Sequence, residues 1–166
     1  MQRLLKITEP DSPSEMEVIR ELWIEYWNWL EFAPCFQDFD QELDALPGKY
    51  APPDGCILLA QYNDTVAGCV SLRKLSDDIC EMKRLYVRPS FRGKKIGQSL
   101  ANAIVKAARQ KGYQRMRLDT LPRMESAISI YKSLGFREIN PYTAEPIDEA
   151  KYLELLLKPT KTRRNR

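Results

Sequence analysis

The chain has 166 residues, 43% apolar and 30% charged, with a net charge of +3; that length suits one globular domain with a proper core, and so small a charge surplus argues against a protein whose whole surface grips nucleic acid. No apolar run approaches the roughly 20 residues that cross a bilayer, and the opening MQRLLKITEP has neither the apolar stretch nor the cleavage site of a signal peptide, so a cytoplasmic protein without a membrane partner is expected. Histidine is absent and Cys35, Cys56, Cys69 and Cys80 lack metal-ligand spacing, which removes Ser-His and Cys-His nucleophiles, argues against a metal, and leaves carboxylate, tyrosine, lysine, cysteine or water as base.

Residues 3–7, RLLKI, read as a first strand that the Pro- and Ser-containing TEPDSPSE ends. A helix follows, with Val18, Leu22, Tyr26 and Leu30 on one stripe beside Ile19 and Trp23, Ser14 and Glu17 as its capping box, and Pro34 as its stop. Asp38 and Gln41 suggest a second box, opening a shorter helix with Phe39, Leu43 and Leu46 on one face. The loop PGKYAPPDG then separates two halves.

CILLAQY, TVAGCVSLRKL and ICEMKRLYV, joined by Asn63-Asp64 and by SDD, have the pattern of an antiparallel meander. Leu100, Ile104, Ala107 and Ala108 mark an amphipathic helix that Gly112 terminates, and RMRLDTL is another strand. Ala127, Ile130, Tyr131 and Leu134 share a further helical face closed by Gly135 and Phe136; Phe136–Ile139 and Tyr152–Leu157 supply two last strands. The order predicts an α+β fold in a single domain over 1–158, with a mostly antiparallel sheet flanked by helices, and a basic, disordered tail at 159–166.

Between the third meander strand and its helix lies RLYVRPSFRGKKIGQSL, with five cationic side chains around Gly93 and Gly97. A glycine-containing turn feeding a helix near Gly97 is a ready anion site, because the first amides of a helix are unpaired and carry partial positive charge. The stretch is not a P-loop, since GKKIGQS has one residue too few between its glycines and glutamine where G-x-x-x-x-G-K-S/T has lysine. Nor is it a dinucleotide fingerprint, which needs G-x-G-x-x-G opening a βαβ unit.

Arg92 and Gly97 occupy the first and last positions of Q/R-x-x-G-x-G/A, and AISIYKSLGF is similar to A-x-x-x-Y-x-x-x-G-F. With these two motifs the chain resembles the GCN5-related N-acetyltransferase superfamily over roughly residues 54–157. The resemblance implies that acetyl-CoA is bound as co-substrate, with Leu85 and Val87 pairing its pantetheine arm and Arg92, Gly93, Lys94, Lys95, Ile96, Gly97 and Gln98 around its diphosphate. Two departures stand out. Lys95 replaces the motif's first glycine, harmless at negative φ but costly at positive φ, and Met124 replaces an asparagine that in many members contacts the pantetheine.

Acetyl transfer needs a neutral amine, a polarised thioester and a partner for the departing thiolate. By resemblance Tyr131 lies beside the coenzyme sulfur, and Glu81 is the base, with Asp119 the runner-up. By periodicity alone Tyr131 is a core aromatic, Glu81 a strand carboxylate paired with Lys83 or Arg73, and Asp119 a turn cap. Trp23, Tyr26, Trp27, Trp29, Phe32, Phe36 and Phe39 with Asp38, Asp40, Glu42 and Asp44 form either a wall favouring a cationic amine, or core, dimer surface and a solvated face. The expected acceptor is a primary amine of a small molecule or peptide. A non-catalytic acyl-CoA-binding module and a nucleic-acid protein acting through its basic tail remain the alternatives, and a homodimer is compatible with the aromatic surface.

Overall fold

The structure, a computed structural model, describes residues 4–30, 37–144, 146 and 148–157, with only the backbone of Gln37 and Asp38. The expected capping role of Asp38, the helix stop at Pro34, the aromatics Phe32 and Phe36, and the basic tail therefore lie outside the described residues or side chains. Strand β1 (Leu5–Thr8) begins two residues later than RLLKI suggested. Helix α1 (Pro13–Leu30) is capped by Ser12 and Glu15 instead of Ser14 and Glu17. The Ser12 hydroxyl accepts the Glu15 amide at 3.2 Å and the Glu15 carboxylate accepts the Asp11 amide at 3.2 Å. The reason is Pro13, whose missing N–H and fixed φ suit the first helical position and put the cap one residue before it.

Helix α2 (Gln37–Ala45) precedes a short 3₁₀ turn at Gly48–Tyr50. Then come β2 (Cys56–Tyr62), β3 (Thr65–Lys74) and β4 (Ile79–Val87), antiparallel in sequence order. Asn63 and Asp64 both take positive φ in the two-residue β2–β3 turn, as a primed hairpin turn requires. After α3 (Ile96–Gln110) come β5 (Arg115–Thr120), α4 (Glu125–Leu134), β6 (Arg137–Ile139) and β7 (Lys151–Leu156). Gly112, at φ +88°, ends α3 as expected, with the Tyr113 amide returning to the Ala108 carbonyl at 3.2 Å.

The seven strands form one sheet in the order β1-β2-β3-β4-β5-β7-β6, with only the β4–β5 pair parallel. β7 inserts between β5 and β6, so the final hairpin turns back on itself to reach β5. Both faces of the sheet are covered. Cys56, Leu58 and Ala60 face a cluster with Leu100, Ile104 and Ala108 of α3, while Ile57 and Leu59 face Ile19, Leu22 and Trp23 of α1 and Phe39 of α2. That two-sided burial is why CILLA, the buried part of β2, is continuously apolar instead of alternating. No helix among the described residues is long and apolar enough to cross a membrane.

A chain of polar contacts ties the outer segments to the sheet centre. The Tyr142 hydroxyl, in the β6–β7 connection, donates to Glu81 at 2.6 Å, and Arg73 Nε donates to the other Glu81 oxygen at 2.8 Å. Arg73 also stands 3.9 Å from Glu42 of α2, which accepts from Arg84 Nη2 at 2.6 Å and from the Tyr50 hydroxyl at 3.2 Å. Burial alone would push the Glu81 carboxyl up, but the Lys83 and Arg73 charges and the Tyr142 hydrogen bond outweigh it and hold it below the usual carboxylate range. A depressed folded pKa stabilises the protein above the unfolded carboxylate value of about 4.3 and loses that stabilisation as pH falls through the folded value. Glu81→Gln is therefore expected to lower stability at pH 7 by about 2 kcal/mol and to flatten the loss on acidification below about pH 4. Urea unfolding between pH 3 and 7 checks both, and wild-type stability at pH 7 would show that the chain of contacts contributes nothing.

Candidate functional site

The site originates in an irregularity of β4. Ser71 pairs with Lys83 and Cys69 with Tyr86, so Arg84 and Leu85 together oppose the single residue Val70. This is a β-bulge, and Arg84 holds its left-handed position at φ +59°. Side-chain parity switches there: Cys80 and Met82 face the α3 side before the bulge, and Leu85 and Val87 pack toward it afterwards. Arg84 thus turns to the opposite face, where its guanidinium lies 5.3 Å from the Trp23 ring and 5.1 Å from the Phe39 ring. A non-glycine residue in this conformation costs about 1 kcal/mol or more, and the aromatic contacts with the Glu42 ion pair oppose that cost.

The same irregularity opens the sheet. β4 and β5 pair only at Ile79–Arg115, Cys80–Met116 and Glu81–Arg117; beyond that the strands part. A pocket lies in the gap, lined by Tyr26, Met82, Lys83, Arg84, Leu85, Asp119 and Tyr131. Elements from four parts of the chain meet there. Tyr131 reaches it from α4, whose end is fixed by Gly135 at φ +101° and by the Phe136 amide returning to the Tyr131 carbonyl at 3.0 Å. Tyr131 packs its ring in the core cluster near Phe136, as its periodicity suggests, and its side chain also lines the pocket. Burial pushes its phenol well above the ordinary value, with Tyr26 and Asp119 acting in the same direction. Burial likewise pushes Tyr26 up to about 12, against the pull of Arg84.

The two carboxylates expected near the chemistry are placed differently. Glu81 is 2% exposed, spent on Arg73 and Tyr142, and does not line the pocket. Asp119 lines it and makes no hydrogen bond among the described residues; its nearest ionic neighbour is Lys83 Nζ at 3.9 Å. Lys83 went unnoticed in the sequence as a site residue, because it sits in a regular strand where only the parting of the strands reveals what it faces; Tyr26, one of the aromatics offered as an acceptor wall, does line the pocket. Of the acidic wall, the described side chains do not reach the pocket: Asp40 and Asp44 are exposed on α2, and Glu42 pairs with Arg84 and Arg73. Trp23 is core, and Trp27 stacks on Phe39 at 4.4 Å.

At the far end of β4, a 3₁₀ turn at Pro89–Phe91 leads into the basic loop. Gly93 has φ +80° and Lys95 φ +61°, so the lysine occupies the conformation that a glycine would take more easily. Arg92, Gly93, Lys94 and Lys95 are exposed, and α3 begins at Ile96 with no side-chain cap, leaving the first-turn amides through Gln98 free of intrahelical partners. Gly97 needs its missing side chain for packing: a Cβ there would meet Ile130 Cδ1 at 3.2 Å and Val87 Cγ2 at 3.6 Å. The end of β4, the start of α3 and the α4 residue next to Tyr131 are thereby joined. Arg92 lies 4.9 Å from the Trp29 ring and donates to the Val87 carbonyl at 3.3 Å. Met124 precedes α4 and accepts the Thr120 hydroxyl on sulfur at 3.6 Å.

The profile of the acetyltransferase (GNAT) family matches residues 16–136. An uncharacterized N-acetyltransferase of Schizosaccharomyces pombe is 37% identical over 91% of this chain and 94% of its own. Among solved structures, a GNAT-family acetyltransferase of Staphylococcus aureus superposes with a TM-score of 0.78 at 23% identity, covering 93% of this chain and 100% of its own. The PaiA N-acetyltransferase of Thermoplasma acidophilum, in complex with coenzyme A, gives a TM-score of 0.71 at 21% identity over 92% and 99%. With the parted strands, the buried tyrosine and the loop before α3 in place, the matches over most of the chain show that it belongs to the acetyltransferase (GNAT) family.

Proposed function

We propose that the protein moves an acetyl group from acetyl-CoA to a primary amine of a small molecule or peptide, the amine attacking directly while both substrates are bound. The carrying observation is the gap between β4 and β5 past Glu81 and Arg117, with Tyr131 and Asp119 at one end and the uncapped start of α3 at the other end of the same strand. The coenzyme A complex of the Thermoplasma neighbour supports the choice of ligand. Cys56, Cys69 and Cys80 are free and buried, which fits a reducing compartment such as the cytoplasm.

The residues present fit such a ligand. Amides from Ile96 to Gln98 offer donors to a diphosphate, Gly93 and Lys95 already hold the turn that exposes them, and Arg92, Lys94 and Lys95 add charge. The β4 edge freed from β5 at Leu85 and Val87 offers main-chain groups to an extended pantetheine arm. When bound, acetyl-CoA supplies an electrophilic thioester carbon. Asp119 accepts the proton that the ammonium group must lose before attack, directly or through water; we assign it this role in preference to Glu81, which is occupied by Arg73 and Tyr142. The C–N bond forms as the C–S bond breaks, and the Tyr131 hydroxyl donates a hydrogen bond to the leaving thiolate. Burial raises the pKa of its phenol, so Tyr131 keeps its own proton. The acetylated nitrogen gives its second proton to solvent and the thiolate takes one up from solvent, so the transfer releases overall the single proton that Asp119 accepted.

Three outcomes are expected. Acetyl-CoA raises the melting temperature, and Gly93→Val, which forces a β-branched residue to positive φ, weakens acetyl-CoA binding about tenfold or more by calorimetry. Tyr131→Phe lowers kcat about a hundredfold while changing KM for acetyl-CoA by less than about threefold in a thiol-release assay. An unchanged kcat would take Tyr131 out of the chemistry, whereas binding without any turnover in the wild type would favour an acyl-CoA sensor. Asp119→Asn lowers kcat/KM about a hundredfold at neutral pH, and the deficit shrinks as the pH approaches the acceptor amine's own pKa; a pH-independent deficit would mean that Asp119 is no base.

A further inference from the structure

The pocket sets an ammonium beside a carboxylate, neither of them with a side-chain hydrogen-bond partner among the described residues. The ammonium belongs to Lys83, whose side chain is 19% exposed and lines the gap. Glu81 and Asp119 stand 3.8 Å and 3.9 Å from Lys83 Nζ, beyond hydrogen-bond distance. Arg84 adds a second unsatisfied donor, since its Nε is buried without a partner although Nη2 meets Glu42. The bulge brings these successive cations together. In a regular strand Lys83 and Arg84 would point to opposite faces; with the extra residue in the strand, both turn to the α1 side of the gap. Arg123 is a third cation whose charge, like that of Arg84, reaches the Tyr26 phenol in the pocket wall.

Against these charges the pocket sets one uncommitted carboxylate, Asp119. The Arg84 Nε is a buried donor without a partner, and the half-buried Lys83 ammonium lacks a hydrogen-bond acceptor among the described residues, so a ligand that supplies acceptor oxygens gains both. A positive group and a negative group 3.9 Å apart are also the mirror of a molecule carrying its own ammonium and carboxylate on neighbouring carbons. We propose that the acceptor is an α-amino acid, with its carboxylate on Lys83 and Arg84 and its amino group on Asp119 beside the thioester end of the gap. This identification rests on the acetyltransferase reading above and narrows its acceptor. It replaces the simple cationic amine that an acidic wall would have favoured, because among the described residues Asp40, Glu42 and Asp44 do not line the pocket.

The test compares the twenty α-amino acids with their α-carboxamides and decarboxylated amines as acceptors, following thiol release. At least one free acid is expected to exceed its carboxamide in kcat/KM by about a hundredfold or more, because removing the carboxylate leaves the Lys83 ammonium and the Arg84 Nε without an acceptor. Lys83→Met should collapse that ratio below about tenfold by raising KM for the acid, and Lys83→Arg should restore most of it. Acetyl-CoA binding by calorimetry verifies that both variants are folded and keeps the two readings apart. Carboxamides or plain amines that serve as well as the acids would overturn the amino-acid assignment while leaving acetyl transfer intact. So would turnover of none of the twenty acids by an enzyme that binds acetyl-CoA. Failure to bind acetyl-CoA at all would sink the acetyltransferase reading and this inference with it.

Discussion

Parallel pairing between β4 and β5 stops after Glu81 and Arg117, and the site exists because it stops there. A sheet edge that parts from its neighbour exposes main-chain groups that must find other partners. In this protein the exposed edge borders a pocket instead of being covered by apolar side chains. The bulge at Arg84 supplies the local cause, since an extra residue twists the strand away and reverses side-chain parity beyond it. One backbone irregularity thus sets the position of the gap, the facing of Arg84 on the same side as Lys83, and the packing of Leu85 and Val87 toward α3.

Holding such an irregularity requires contacts on both sides. Trp23 and Phe39 enclose the Arg84 guanidinium, Glu42 neutralises it, and the Tyr142–Glu81–Arg73 contacts continue the network to the β6–β7 connection. Helix α2 and that connection are therefore linked through the strand that carries the bulge. Glu81 illustrates how burial and charge compete: desolvation disfavours its ionised form, yet two cations and a phenol hydrogen bond keep the carboxylate charged. A carboxylate so engaged is suited to holding a fold. Asp119, with no hydrogen bond among the described residues, retains the acceptor capacity that proton transfer needs.

The basic loop divides its labour differently from what its glycines suggest. Gly93 serves backbone conformation, at φ +80° with open space around it, whereas Gly97 serves the close approach of α3 to Ile130 and Val87. Lys95 shows that the remaining left-handed position does not need a glycine; it accepts some strain and adds a charge at the entrance to α3. Nearness of Gly97 to Ile130 and Val87 joins the uncapped start of α3 to the helix that carries Tyr131, so the two are parts of one packed unit.

Local physics made much of this legible in the sequence. The meander strands, α3 with Gly112 beyond its end, and α4 with Gly135 and Phe136 follow from apolar periodicity and from the conformations only glycine takes easily. The two motifs, AISIYKSLGF and RGKKIG, pointed to the turn before α3 and to the tyrosine that lines the pocket, because each is a contiguous run whose spacing survives folding. Where the reading slipped by a residue or two, as with Ser14 for Ser12, a neighbouring proline shifted the cap. What the chain order could not contain is which carboxylate and which cations share one pocket. Glu81, Lys83 and Asp119 differ in role because of strand parity after a bulge, the insertion of β7 beside β5, and the docking of Tyr142 on Glu81. Those relations join residues tens of positions apart, so they are decided only when the sheet assembles.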